Sequence, residues 1–138
     1  MKIINAEDLI IGRLATVAAK NALLGEEVSI VNCEKAVMTG NKKEILARYK
    51  SRREKGQVNK GPYILRNPAM FVKRTIRGML PYKQEKGRKA LERIKCYIGM
   101  PPELKDKEIE TIEKASISKV ASLKYISVER ICKSMGVK

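Results

Sequence analysis

The stretch KIINAEDLIIGRLATVAAKNALLGEEVSIVNC, residues 2–33, decides the fold because its hydrophobic pattern changes twice. KIIN and EVSIVNC are short apolar segments, and the second is rich in β-branched residues, which predicts two buried strands. Between them the residues Leu14, Val17, Ala18 and Asn21 recur at helical spacing. Gly25 stands where this helix should stop. A strand, a helix and a strand within about thirty residues form a βαβ unit, which predicts a parallel sheet.

A second helix is predicted over TGNKKEILARYKSRREKG, which ends at Gly56. Its apolar stripe is limited to Ile45, Leu46 and Tyr49, and Arg53 stands where the stripe should continue. A helix whose hydrophobic side ends while its positive charge rises is expected to project from the core.

A third helix is predicted over NPAMFVKRTIRGML, after the aperiodic loop GQVNKGPYILRN. Asn67 is a good N-cap, Pro68 suits the first helical position, and Pro81 follows the end. At 100° per residue the predicted core face consists of Phe71, Val72, Thr75, Ile76 and Met79. The predicted outer face consists of Lys73, Arg74 and Arg77. This helix should therefore dock on the core and present three cations outward.

The remainder of the chain predicts two strands and two short helices. GRKALERI predicts a helix, IKCYI a strand, GMPPELKDKE a polar linker, and SLKYIS a last strand. Ser127 should cap a closing helix with the apolar stripe Val128, Ile131, Cys132 and Met135, which ends at Gly136. We therefore expect a single domain over residues 1–138, with a C-terminal strand–helix unit over 116–136.

Nearly all of the net charge lies in the segment 41–95. The chain has 30 Lys and Arg against 15 Asp and Glu, a net charge of +15. Residues 41–95 hold 18 basic and 4 acidic side chains, whereas residues 1–40 hold 4 and 5 and residues 96–138 hold 8 and 6. A solvated face normally mixes both signs, and such an excess opposes compaction unless a polyanion neutralises it. The segment 41–95 therefore predicts an anion-binding surface.

Residue types needed for common catalytic and metal sites are missing. The absence of histidine removes the commonest general base and the usual nitrogen metal ligand. GQVNKGP has the glycine spacing of a phosphate loop, but Pro62 stands where Lys is required. Lys42 and Lys43 in TGNKKE could add charge to an anion site at a helix start. An ordinary strand-to-helix turn without a bound anion explains the same sequence equally well. We therefore predict no catalytic residue, no metal and no cofactor.

The cysteines and the hydropathy pattern indicate a soluble chain of the cytoplasm. Cys33, Cys96 and Cys132 are odd in number and lack CxxC spacing, so neither zinc nor a disulfide framework is indicated. Each has apolar neighbours, as a reduced core thiol would. No apolar run reaches the ~18 residues of a membrane span. Glu7 and Asp8 interrupt any signal peptide.

Aromatic residues lie among the cations of the basic segment. Phe71 belongs to the predicted core face, whereas Tyr63 and Tyr82, beside Gly-Pro and Leu-Pro turns, suit either a turn or base stacking. The cations are spread over two helices, a loop and the elbow that follows the third helix, a distribution that suits an extended, folded polyanion better than one small phosphate. This favours nucleic acid, but composition alone does not choose RNA over DNA.

Several motifs then occur in the order typical of one family. They are Gly-Arg-Leu-Ala at 12–15, Val-Asn-Cys-Glu-Lys at 31–35, Thr39-Gly40, and Arg-Gly-Met-Leu-Pro at 77–81 followed by Gly87-Arg88. In these motifs the chain closely resembles the universal family of large-subunit ribosomal protein thirteen. The match covers about residues 9–102. The loop 51–67 resembles that of archaeal and eukaryotic relatives, and the tail 103–138 resembles the archaeal type.

The resemblance implies a three-layer α/β/α domain with a four-stranded parallel sheet, here with a projecting basic helix and loops. It implies a structural constituent of the large subunit, not an enzyme, that binds large-subunit rRNA and joins assembly early. Neighbouring large-subunit proteins would be further partners, and the chain would be a monomer outside the ribosome, with no membrane partner.

The expected RNA contacts combine the motif-matched elbow with the cations around it. Arg77, Gly78, Lys83, Lys86, Gly87 and Arg88 follow from the motif, and Lys42 and Lys43 would lie at the helix start after Thr39-Gly40. The full expected set is Lys42, Lys43, Arg48, Lys50, Arg52, Arg53, Lys55, Lys60, Arg66, Lys73, Arg74, Arg77, Gly78, Tyr82, Lys83, Lys86, Gly87, Arg88 and Lys89. The alternatives are an α/β enzyme that modifies RNA or nucleotides at TGNKK, and a free-standing protein that coats DNA.

Overall fold

The structure is a computed structural model that describes residues 1–136. Val137 and Lys138, the last two residues of the predicted domain, lie outside the described residues. The α-helices of the described part are α1 (Ile11–Leu23), α2 (Lys42–Glu54), α3 (Pro68–Met79), α4 (Glu85–Glu92) and α5 (Val128–Ser134). Its strands are β1 (Lys2–Asn5), β2 (Val28–Val31), β3 (Val37–Thr39), β4 (Ile94–Cys96) and β5 (Tyr125–Ser127).

The predicted βαβ unit is confirmed. β1 and β2 run parallel, with Ile4 opposite Ile30, and β4 adds to the other side of β2 in parallel. All four residues of β2 are buried, as expected for the central strand of a covered parallel sheet. Gly25, with a φ of +99°, follows the end of α1 as predicted.

The prediction of a four-stranded parallel sheet is wrong. In residues 1–136 the parallel sheet has three strands, and β3 pairs with β5 in a separate antiparallel ladder with Val37 opposite Ser127. Asn32, with a φ of +56°, turns the chain into a 3-10 turn after β2, so β3 starts away from the parallel sheet. The three-layer arrangement of helices stays a prediction.

The segment predicted to be a polar linker after β4 packs on the parallel sheet. Leu104 is buried against Ile3 and Val31. The Glu110 N–H donates to the Ile3 carbonyl at 2.8 Å, and the Glu110 carbonyl accepts from the Asn5 N–H at 3.0 Å. This single parallel bridge lies beside β1, at the edge of the three-stranded sheet.

Helix α3 docks on the core largely as predicted. The Asn67 side chain accepts from the Ala69 N–H at 2.9 Å, and Phe71, Val72 and Ile76 are buried. Met79 is 43% exposed, which contradicts its predicted place in the core. The helix ends there, and the next residue, Leu80, enters the core instead.

Small residues on α1 allow close packing against α3 and α4. Ala15, Ala18, Ala19 and Ala22 are all buried, so the helix axis can approach its neighbours. The predicted stripe of the closing helix is also confirmed, because Val128, Ile131, Cys132 and Met135 are all buried. The Ser127 hydroxyl accepts from the Arg130 N–H at 3.4 Å at the start of α5.

Candidate nucleic-acid interface

Helix α2 carries its cations away from the core. Ile45 is its one buried residue, and every residue from 50 to 60 is exposed. The prediction that its hydrophobic stripe ends before Arg53 is therefore confirmed. Lys43 and Arg53 lie about 15 Å apart along the helix at 1.5 Å per residue, so the cations of α2 extend over most of its length.

Helix α3 carries three further cations of the predicted contact set. Arg74 and Arg77 are exposed, whereas Lys73 is half-buried, so the outward face is narrower than predicted. At the end of the helix the Arg77 guanidinium lies 5.0 Å from the centre of the Tyr82 ring, which is a cation–π distance. This contact joins α3 to the elbow formed by residues 80–84.

The two glycines of the predicted contact set have different surroundings. Gly87 is buried, and a Cβ there would collide with the backbone of Pro81 and Tyr82. Gly78 is exposed, and a Cβ there would meet nothing within 4 Å. Gly87 therefore closes the elbow, whereas Gly78 leaves open space on the surface of α3.

Most of the predicted contact residues lie at the surface and have no acidic partner among residues 1–136. Lys50 pairs with Glu54 at 4.0 Å and Lys89 with Glu85 at 2.7 Å, both between exposed side chains. Such exposed ion pairs contribute little to the stability of the fold, so each lysine can leave its carboxylate partner and bind a phosphate instead. We call the following cations the basic surface: Lys42, Lys43, Arg48, Lys50, Arg52, Arg53, Lys55, Lys60, Arg66, Lys73, Arg74, Arg77, Lys83, Lys86, Arg88 and Lys89.

Two arginines from distant parts of this surface converge at the end of α5. A Cβ at Gly136 would lie 3.6 Å from an Nη1 of both Arg53 and Arg66. The C-terminal end of a helix is electronegative, which favours cations beside it. One cation of α2 and one of the loop before α3 therefore lie beside the C-terminal end of α5.

An aromatic cluster lies between α2 and α3. The rings of Tyr49 and Phe71 are 5.2 Å apart and tilted by 56°, and the Arg52 guanidinium lies 5.6 Å from the Tyr49 ring centre. Burial raises the pKa of the Tyr49 hydroxyl. The sequence placed Tyr49 and Phe71 on apolar stripes, but it gave no sign that the two stripes meet.

A cavity of about 250 Å³ opens beside this cluster. Its lining consists of Tyr49, Arg52, Ile64, Leu65, Phe71, Arg74 and Thr75. The sequence did not predict that Ile64, Leu65 and Thr75 line a cavity. They belong to a loop and to a helix, and no sequence pattern indicates that these two segments lie side by side.

The described residues contain neither a metal-binding cluster nor a membrane-spanning helix. No group of three or more Cys, Asp or Glu side chains within residues 1–136 is arranged to hold a metal ion. In the same residues, none of the helices has both the length and the apolar character needed to cross a bilayer.

Comparison with known proteins indicates the same family as the sequence motifs. The family model described as Ribosomal protein L13 matches residues 1–103. "Large ribosomal subunit protein uL13" of Methanosarcina barkeri is 48% identical over 139 residues, covering 100% of this chain and 99% of the relative. The proteins of the same name from Methanococcoides burtonii and Methanocaldococcus jannaschii are 44% and 43% identical, each with 100% of this chain and 99% of the relative covered.

The family model matches well over half of the chain, and the archaeal relatives match it along its full length. The resemblance seen in the Gly-Arg-Leu-Ala and Arg-Gly-Met-Leu-Pro motifs is thereby confirmed. This chain belongs to the ribosomal protein L13 (uL13) family, in its archaeal form.

Proposed function

We propose that the chain is a structural constituent of the large ribosomal subunit that binds large-subunit rRNA through the basic surface and supports subunit assembly. The observation that carries this proposal is the position of the cations. All of them except the half-buried Lys73 lie exposed on α2, α3, α4 and the loops between them, and only Lys50 and Lys89 pair with an acid in residues 1–136.

The fold explains how these cations would act together. The three-stranded sheet and α1 hold α3 and α4, while α5 contacts α2 and α3, so the cations are carried by elements that share one core. Arginine binds phosphate in a bidentate manner and lysine supplies a looser point charge. Most contacts should therefore be to phosphates and to RNA shape, and they position the chain rather than read a sequence.

The contact set remains that expected from the sequence, with one change of role. Gly87 would support the interface by closing the elbow rather than by touching RNA, because it is buried against Pro81. The open space at Gly78 suits a close approach of the RNA backbone. Residues 1–138 would act as one RNA-binding domain, with neighbouring large-subunit proteins as further partners in the ribosome of the cytoplasm.

The enzymatic alternative is not supported by the relatives, which are ribosomal proteins and not enzymes. At the helix start in TGNKKE, the Asn41 side chain already accepts from the Lys43 N–H at 3.1 Å. One of the amides that an anion would need is therefore occupied by the helix cap.

Gradient sedimentation tests the proposal. A tagged chain expressed in an archaeal host should co-sediment with the large subunit after the two subunits are separated at low magnesium. The chain found only at the top of the gradient would contradict it. A competition assay with duplex DNA tests the DNA-coating alternative, because equal affinity for duplex DNA and for large-subunit rRNA would favour that protein class.

A further inference from the structure

The cavity between α2 and α3 has walls and a rim of different chemistry. Its walls are the rings of Tyr49 and Phe71 and the aliphatic side chains of Ile64 and Leu65. At its rim stand Arg52 and Arg74, both exposed and neither paired with an acid in residues 1–136. An apolar slot with cations at the mouth suits a flat aromatic group that is linked to an anion.

The size and openness of the cavity also restrict its occupant. A volume of about 250 Å³ lies just below the range of about 300–1,000 Å³ that is typical of clefts for drug-sized ligands. It is open to solvent beside two exposed arginines, so it is not a packing void enclosed in the core. One planar ring system therefore fits better than an extended organic ligand.

The neighbouring surface would hold the rest of a nucleic acid chain. A second cavity shares Leu65 and Arg74 with the first and is also lined by Lys73 and Arg77. A third cavity shares Ile64 with the first and is also lined by Arg53 and Arg66. Two cation-lined cavities therefore adjoin the aromatic slot, where phosphates next to the bound nucleotide would lie.

We infer that this slot binds a single unpaired nucleobase of large-subunit rRNA, turned out of its helix and packed against the Tyr49–Phe71 pair. The inference rests on the proposed function and adds one specific contact to a surface that otherwise binds phosphates. Unpaired bases stacked on aromatic or arginine side chains are the usual means by which proteins recognise RNA beyond its shape. Arg74 would bind a flanking phosphate, and the Arg52 guanidinium, 5.6 Å from the Tyr49 ring centre, would add positive charge beside the base.

Filling the slot tests the inference without removing a charge. Thr75 lines the cavity from α3 and is half-buried, so the ring in Thr75→Phe should occupy the place of the base. The matched control is Thr75→Val, which keeps the side-chain volume and leaves the slot open. Because Thr, Val and Phe have similar helix propensities, neither change should alter α3 itself.

The measurement is the affinity of the full chain for transcribed archaeal large-subunit rRNA at several salt concentrations. Thr75→Phe should weaken binding at least about fivefold, the lower end of what stacking of one base contributes. The slope of log K against log salt should stay unchanged, and Thr75→Val should bind as the wild type does. Thermal unfolding of both variants checks that they are folded.

Ultraviolet cross-linking of the wild-type complex, followed by mass spectrometry, keeps the test independent of any variant. A nucleotide attached to Tyr49 or Phe71 would support the inference, and cross-links confined to Tyr63 and Tyr82 would overturn it. Salt-dependent rRNA binding that is equal in Thr75→Phe and wild type would overturn the base slot but leave the proposed function intact. Wild-type protein that does not bind rRNA would overturn both.

A neighbouring ribosomal protein is the competing occupant. If Thr75→Phe binds rRNA normally but fails to enter the large subunit, a protein side chain occupies the slot and the inference is wrong.

Discussion

Gly87, in the first turn of α4, lies directly against the backbone of Pro81, and no Cβ fits between them. The elbow that connects α3 to α4 is therefore closed by one missing side chain. Gly87→Ala should lower the free energy of unfolding by about 1–3 kcal/mol, the usual cost of overpacking. Thermal or urea unfolding would measure this, and an unchanged midpoint would contradict the tight elbow.

Gly78 is the matched control within the same segment, because a Cβ there meets nothing. Gly78→Ala should stabilise the free chain by about 0.5–1 kcal/mol, since alanine is the better helix former. If the RNA backbone approaches α3 at this point, the same substitution should weaken rRNA binding. Opposite changes in stability and affinity are the expected signature, and unchanged affinity would remove Gly78 from the interface.

The two asparagine caps should differ in their effect on stability. Asn67 caps α3, which buries Phe71, Val72 and Ile76, whereas Asn41 caps α2, which buries only Ile45. Asn67→Ala should therefore lower the global stability by about 1 kcal/mol. Asn41→Ala should mainly increase amide hydrogen exchange in the first turn of α2. Equal losses of global stability would show that α2 is not a peripheral element.

The three cysteines should react with iodoacetamide in a defined order. Contact with the Cys33 thiol lowers the pKa of Cys96, and the same contact together with burial raises the pKa of Cys33. Burial raises the pKa of Cys132 to about 11. Since the thiolate is the nucleophile, Cys96 should be alkylated first at pH 8.

The labelling is followed by mass spectrometry of the folded chain, with urea-unfolded chain as the control. Raising the pH towards 11 should speed the reaction of Cys132 because its thiolate fraction rises there. Cys132 labelled as fast as Cys96 in the folded chain at pH 8 would contradict the buried position of α5.

The elements that the sequence predicted best are those with strong local signals. The βαβ unit, the Asn67-Pro68 helix start and the stripe on α5 are all set by residues close together in the chain. β3 was missed because a three-residue strand has no periodicity of its own, and its partner β5 lies almost ninety residues further along. Tertiary pairing, and not local propensity, determines that ladder.

The sequence likewise predicted only those features of the basic surface that depend on single residues. Charge is a property of each residue, so the cations of 41–95 were visible without coordinates. The slot beside Tyr49 and Phe71 was not, because its walls come from two helices and a loop. Met79 was misplaced because the helix ends at that residue, and a wheel drawn for an unbroken helix assigns it to the core face.

The salt dependence of rRNA binding tests the central claim most directly. If the basic surface neutralises many phosphates, affinity for large-subunit rRNA should fall by about 10³–10⁵ between 50 and 200 mM salt, as for proteins with 6–10 phosphate contacts. Replacing one exposed cation, as in Lys83→Gln, should reduce the slope of log K against log salt by about 0.7–0.9. Affinity that does not change with salt, in wild type and variant alike, would contradict the account.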